Sequence, residues 1–167
     1  QVLKQLLLIS FFALDGFAFA AETLVGQAFG ARNSSAFRRS ALITSYWAFG
    51  VAALLCGLVI LFGPWAIAVM TKSSDVQTTA LHYLPFLYLA PFLGMPAFML
   101  DGIFIGATAS RDMRNMMAVS LSVYALAVVL LVPTFGLSGL WGALLISFLI
   151  RACSLAWRYP ALEARVT

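Results

Sequence analysis

Ala41-Leu-Ile-Thr-Ser-Tyr-Trp-Ala-Phe-Gly-Val-Ala-Ala-Leu-Leu-Cys-Gly-Leu-Val-Ile-Leu-Phe62 runs without one charged side chain. A bilayer core about 30 Å thick takes about 20 apolar residues as a helix, and this stretch meets that length. It is not alone. Similar runs span residues 6–29, 84–107, 116–132 and 137–157. Over the whole chain of 167 residues, 63% are hydrophobic and 10% charged, with a mean hydropathy of +0.99. A soluble domain leaves roughly a third of its chain surface wet and cannot hide so much apolar area. The expected fold class is therefore all-α, a polytopic transmembrane bundle of about five spans. A secreted disulfide scaffold, a disordered tail and an ordinary cytosolic enzyme are excluded.

The charges give an orientation. Lys plus Arg outnumber Asp plus Glu by 10 to 6, and the excess alternates between connections. Arg32, Arg38 and Arg39 follow the first span, Arg111 and Arg114 the third, and Arg158 and Arg165 the fifth. The opposite connections hold only Lys4 and Lys72. The positive-inside rule puts the start of the chain outside and its C-terminus in the cytoplasm. The basic excess thus reads as topology, and nucleic acid is not a partner. An odd number of spans, a first residue Gln1 and the lack of a signal-peptide pattern predict a fragment missing N-terminal helices.

Three spans carry punctuation. Pro85, Pro91 and Pro96, with Gly94, fall within the third, where each proline removes a backbone donor and bends the helix. Gly63-Pro64 is expected to stop the second span and Pro133 the fourth. Gly26-Gln-Ala-Phe-Gly30 has the GxxxG spacing of close helix packing. An internal echo links Gly30-Ala-Arg-Asn-Ser34 with Gly106-Ala-Thr-Ala-Ser110 at an offset of 76 residues.

Acids inside apolar spans are the candidate chemistry, because an ionised side chain at the bilayer centre costs a few kcal/mol or more. They are Asp15, Glu22 and Asp101. Asp15 and Glu22 are two helical turns apart and share a face with Ala18, Gly26 and Phe29. Glu22 and Asp101 each precede an inner arginine by ten residues, which predicts a common depth and one cavity. Desolvation disfavours the charged form, which suits reversible protonation and hence ion coupling. The alternative role is to tie helices together through Thr23, Gln27, Thr44 or Ser45. Arg151 is read as reaching from the fifth span to the nearby interface. His82 is expected at the outer interface, and Cys56 and Cys153 as core thiols. Met95, Met99, Met113, Met116 and Met117, with Phe86, Phe92, Phe98 and Phe104, serve either as cargo contacts or as packing. No nucleophile with a base, no phosphate loop and no ligand-spaced Cys/His set is present, so neither an enzyme nor a metal site is expected.

Asp15-Gly-Phe-Ala-Phe-Ala-Ala-Glu-Thr-Leu-Val-Gly-Gln-Ala-Phe-Gly-Ala31, Leu100-Asp-Gly-Ile-Phe-Ile-Gly-Ala-Thr108 and Arg111-Asp-Met-Arg-Asn115 resemble the C-terminal lobe of multidrug and toxic compound extrusion (MATE) transporters, in the DinF-like branch. The resemblance covers essentially the whole chain and makes its spans the eighth to twelfth of twelve. It implies two lobes around a cavity in a bacterial inner membrane, and export of organic, often cationic, compounds in exchange for protons or sodium. No cofactor is implied beyond that ion gradient. The implied partners are small organic substrates, membrane lipid and the missing N-terminal lobe. Family acids lie on the first, seventh and tenth helices. Asp101 is on the counterpart of the tenth, about two turns further inward than in the better-known branch. Asp15 and Glu22, on the counterpart of the eighth, are features of this subgroup. Other readings are a lipid-linked-glycan flippase, against which the intramembrane acids argue, and a non-transporting packing subunit or membrane anchor.

Overall fold

A computed structural model describes residues 2–166. Four helices follow one another with short connections: α1 Val2–Gly30, α2 Ser34–Met70, α3 Ser74–Gly106 and α4 Ser110–Glu163. All four are long and apolar enough to cross a membrane. Helices are the required solution in such a sequence, because lipid offers no partner to a backbone N–H or C=O.

The fourth helix is two spans in disguise. Its 54 residues would reach about 80 Å if straight, far more than a bilayer core. At Gly136 the backbone takes φ 57 and ψ −131, a conformation closed to most side chains, and the helix turns back on itself. The arms, 110–135 and 137–163, run antiparallel. Ser120 donates to the Ser147 carbonyl at 3.0 Å, and Gly139 lies so close to the Leu131 carbonyl that a Cβ would overlap it. The chain therefore presents five apolar segments, as the hydropathy predicts.

The bundle is organised around α1 and α3, which pack in parallel. A Cβ on Gly102 would strike the Ala18 carbonyl, and one on Gly106 the Glu22 carbonyl. Gly26 approaches the Gly106 carbonyl, 3.2 Å from where a Cβ would sit. Such backbone-to-backbone contact is how membrane helices gain dispersion energy in a solvent as apolar as themselves. The expected Gly26–Gly30 motif contributes only its first glycine, since nothing lies within 4 Å of a Cβ at Gly30. Its counterpart is Gly102-Ile-Phe-Ile-Gly106, the same spacing on the facing helix.

The internal echo is structural. α1 ends with Arg32 at φ 51 and α3 with Thr108 at φ 55, two left-handed residues 76 positions apart. Around each, the same bonds recur. Arg32 and Asn33 donate to Phe29 and Ala28, and Thr108 and Ala109 donate to Ile105 and Phe104. Both are Schellman caps, which satisfy the last carbonyls of one helix while reversing the chain into the next. Asn33 then caps α2, its side chain accepting from the Ala36 N–H at 3.0 Å. Because α1 and α3 run the same way, these turns and their arginines lie at one end of the bundle.

Several boundaries differ from expectation. Pro64 does not stop the second span: α2 continues to Met70 with Pro64 inside it. In apolar surroundings, losing one hydrogen bond costs less than ending the helix and baring every following polar group. For the same reason α1, α3 and both arms of α4 extend beyond the apolar windows. The fourth span ends at Gly136, three residues after Pro133. Pro85, Pro91 and Pro96 all lie within one continuous α3. Cys153 is exposed on the outer face and Cys56 half-buried, so neither is a core thiol.

Candidate functional site

Three helices meet at a cleft of about 280 Å³ lined by Asp15, Phe19 and Glu22 of α1, Phe98, Asp101 and Ile105 of α3, and Met113 and Arg151 of α4. The helical period explains α1's share. Asp15, Ala18 and Glu22 fall on the face that meets α3, and the small residues of that face let the helices approach. The register sets the depths. With Ala18 against Gly102 and Glu22 against Gly106, Asp101 stands about level with Phe17, between the two α1 acids. The predicted common depth of Glu22 and Asp101 is thus corrected by about a turn, because α1 runs further past the packing contact than α3 does.

Arg151 changes the electrostatics. It does not reach for the interface but grips Asp101 with two bonds, Nη2 to Oδ2 at 2.7 Å and Nε to Oδ1 at 3.1 Å. The bidentate fork matches carboxylate geometry, and such charge-assisted bonds are roughly twice as strong as neutral ones. The two side chains are only 24% and 14% exposed, so removing either partner leaves a charge stranded in poor solvent, at a cost of about 3–5 kcal/mol. Asp15 and Glu22 take part in no ion pair among the described residues. The helix-tying hydroxyls do not reach the acids either. Thr23 bonds the Phe19 carbonyl, and Thr44 those of Ser40 and Ala41.

Aromatic rings bound the cleft on the side where α1 and α3 begin. Phe11, Phe98 and Phe148 come from three different segments and stand 5.1–6.2 Å apart, centroid to centroid. At the other end, Arg165 bonds Asp112 at 2.9 Å and holds the C-terminal tail against the start of α4. Of the suggested Met and Phe cavity residues, Met113 and Phe98 line the cleft. Met95, Met99 and Phe104 are buried in the core, with Met116 packed against it. Phe92 pairs with Phe49, Phe86 stacks near Trp141, and Met117 lines a separate cleft between the arms of α4. His82 is exposed beside Tyr83, ring to ring at 5.1 Å. Of the three prolines, Pro91 is buried and Pro85 and Pro96 are exposed.

Arg151 and the Gly102–Gly106 pair are what sequence reasoning missed. Both had a signal. A cation well inside an apolar run calls for a buried acid, and the GxxxG spacing on α3 is as plain as that on α1.

Comparison with known proteins gives a family. The MatE family model matches residues 1–134. The chain is 41% identical over 163 residues to DNA damage-inducible protein F of Escherichia coli (strain K12), covering 94% of this chain and 34% of that protein. It is 26% identical over 161 residues to Protein DETOXIFICATION 44, chloroplastic, of Arabidopsis thaliana, covering 95% of this chain and 30% of that protein. The chain thus spans about a third of the length of these curated relatives. No solved structure gives a significant match. With an all-helical bundle of membrane-spanning length and a family model matched over most of its residues, the chain belongs to the MATE (MatE) family.

Proposed function

We propose that this chain is the C-terminal lobe of a secondary transporter in a bacterial inner membrane, with its C-terminus in the cytoplasm, which exports organic, often cationic, compounds against an inward flow of protons or sodium. The observation that carries the reading is the convergence of Asp15, Glu22 and Asp101 on one cleft amid apolar helices. Carboxylates kept there at a desolvation cost can bind a small cation and a bulky organic cation in turn, and competition between the two is the basis of exchange. The family membership and the name of the Arabidopsis relative support the same reading, and argue for a transporter rather than an enzyme. Three acids to one arginine give the cleft an excess of negative charge, which fits a cationic cargo better than a lipid-linked phosphate.

The cleft is one wall of the full cavity, and the other lobe of the same polypeptide supplies the rest. Cation binding neutralises the acids and so shifts the balance between two packed states. α3 is the natural moving part. Pro85, Pro91 and Pro96 cannot donate to the carbonyls of Leu81, Leu87 and Phe92, which leaves three soft points along the helix bearing Asp101.

The test is efflux of a fluorescent organic cation from cells making the full-length parent, with Glu22→Gln and Asp101→Asn compared at equal expression. The amides keep size and hydrogen bonding but cannot titrate. Loss of pH-driven efflux in either variant is the expected result. Normal pumping by both would assign the acids to structure and coupling to the other lobe.

A further inference from the structure

The geometry points to Arg151 as a tethered stand-in for the transported cation. Its guanidinium holds Asp101 while the cleft is empty, and swings into the neighbouring cleft between the arms of α4 when a proton or cargo cation takes its place. This rests on the exchange reading above and goes beyond it, by naming the internal group that cargo must displace.

Arg151 is positioned for two states. The residue lines the acid cleft and also a second cleft of about 320 Å³, formed by Met117, Ser120, Tyr124, Leu144 and Ser147 among others. Arg151 thus borders both spaces, with its guanidinium on the Asp101 side in this structure. The second space can receive it. The Ser120 hydroxyl already donates to the Ser147 carbonyl, and the Ser147 hydroxyl to the Leu144 carbonyl. Each oxygen keeps acceptor capacity, as does the Tyr124 phenol, and an arginine supplies only donors.

The charges around Asp101 favour such an exchange. From α1 it meets Asp15 and Glu22, from α4 Arg151 alone, and α2 contributes no residue to the cleft. An arriving cation finds two carboxylates outside any ion pair, so it is held beside Asp101 before Arg151 departs. One positive charge then replaces another, and at no stage does the carboxylate stand bare in an apolar medium, the state that makes breaking a buried pair expensive. A guanidinium suits the role because it stays charged at every accessible pH. On release of cargo it returns, and by refilling Asp101 it drives the cargo out.

The experiment uses the purified full-length parent in lipid nanodiscs, with tetraphenylphosphonium as the probe. Without its internal competitor, Arg151→Gln should bind the probe at least about tenfold tighter, since releasing even one of the two charge-assisted bonds to Asp101 corresponds to that factor. Arg151→Lys, which keeps the charge but loses the fork, should fall between that variant and the parent. In vesicles, Arg151→Gln should lower both KM and kcat for the probe, since release loses its driving group. Unchanged or weaker binding by Arg151→Gln, in protein that is monodisperse and melts cooperatively, overturns the proposal and makes the pair a static clamp. A second measurement does not depend on cargo. In a cysteine-free background of the parent that includes Cys56→Ala and Cys153→Ala, Met117→Cys reports the charge of the second cleft through the rates of anionic and neutral thiol reagents. Asp101→Asn should raise the anionic-to-neutral ratio as the guanidinium moves in, and an unaltered ratio refutes the movement. Should the parent fail to bind the probe while the ratio rises, the organic-cation reading fails and the guanidinium movement stands.

Discussion

Replacing Gly102 by alanine adds one methyl group at the tightest point of the α1–α3 contact. Its Cβ would overlap the Ala18 carbonyl, whereas ordinary contact requires 3.4–4 Å. The obstacle is backbone, so no side chain can swing aside and the helices themselves must part by about 1 Å. A gap of that size forfeits roughly a quarter to a half of the dispersion energy in each contact it opens. Overpacking of this kind costs about 1–3 kcal/mol. Against it stands the gain of about 1 kcal/mol when a helical glycine becomes alanine. The net loss is therefore about 0–2 kcal/mol. Gly57→Ala, the same chemical change on α2, meets nothing within 4 Å and should keep the whole gain. The two variants should differ by about 1–3 kcal/mol in opposite directions from the parent. Thermal melts of the full-length protein in detergent, followed by loss of the monodisperse peak, give the order. Ala18→Gly should not rescue Gly102→Ala, because it leaves the offending carbonyl in place. Gly102→Ala melting as high as Gly57→Ala would refute the argument, as would rescue by Ala18→Gly.

Gly136→Ala should destabilise by roughly 1–3 kcal/mol, since φ 57 with ψ −131 strains any residue with a Cβ; a melt equal to that of the parent would show the α4 reversal to be built differently. Thr108→Asn should stabilise by about 1 kcal/mol, because a β-branched residue at φ 55 is replaced by one that tolerates it; a lower melting temperature contradicts this. Asp112→Asn should cost less than about 1 kcal/mol, as its partner Arg165 is 53% exposed; a larger loss in the same melts would mean that the tail contact holds the bundle together.

The sequence made the apolar segments legible because hydropathy is additive over a window and needs no knowledge of neighbours. Ends were harder. Pro64 has the look of a stop signal, yet whether a helix stops at proline depends on what surrounds the following backbone, and around Pro64 that is apolar. The break of α4 was placed within a few residues, at Pro133, whereas the residue that bends is Gly136. There the decisive quantity is a dihedral, not a composition. The acids were legible as misfits in an apolar run, and helical periodicity put Asp15 and Glu22 on one face, while the cavity they share with Asp101 was expected from equal spacings to inner arginines. Their relative depth was not, because it depends on the register between two helices, which glycines at 26, 102 and 106 set. Arg151 was visible as a charge but not as a partner, since a pairing across fifty residues of chain is a property of packing.

The repeated cap has a consequence for how the molecule is assembled. Two units, each a helix, a left-handed turn and a returning helix, account for residues up to the reversal at Gly136. The last arm stands outside that duplication. All three acids belong to the doubled scaffold, while Arg151, the cation paired with Asp101, rides on the appended piece that follows Gly136. Scaffold and counter-charge thus come from separate parts of the chain, and the Asp101–Arg151 pair is one of the contacts that fasten the appended arm to the helix bearing the glycine seam.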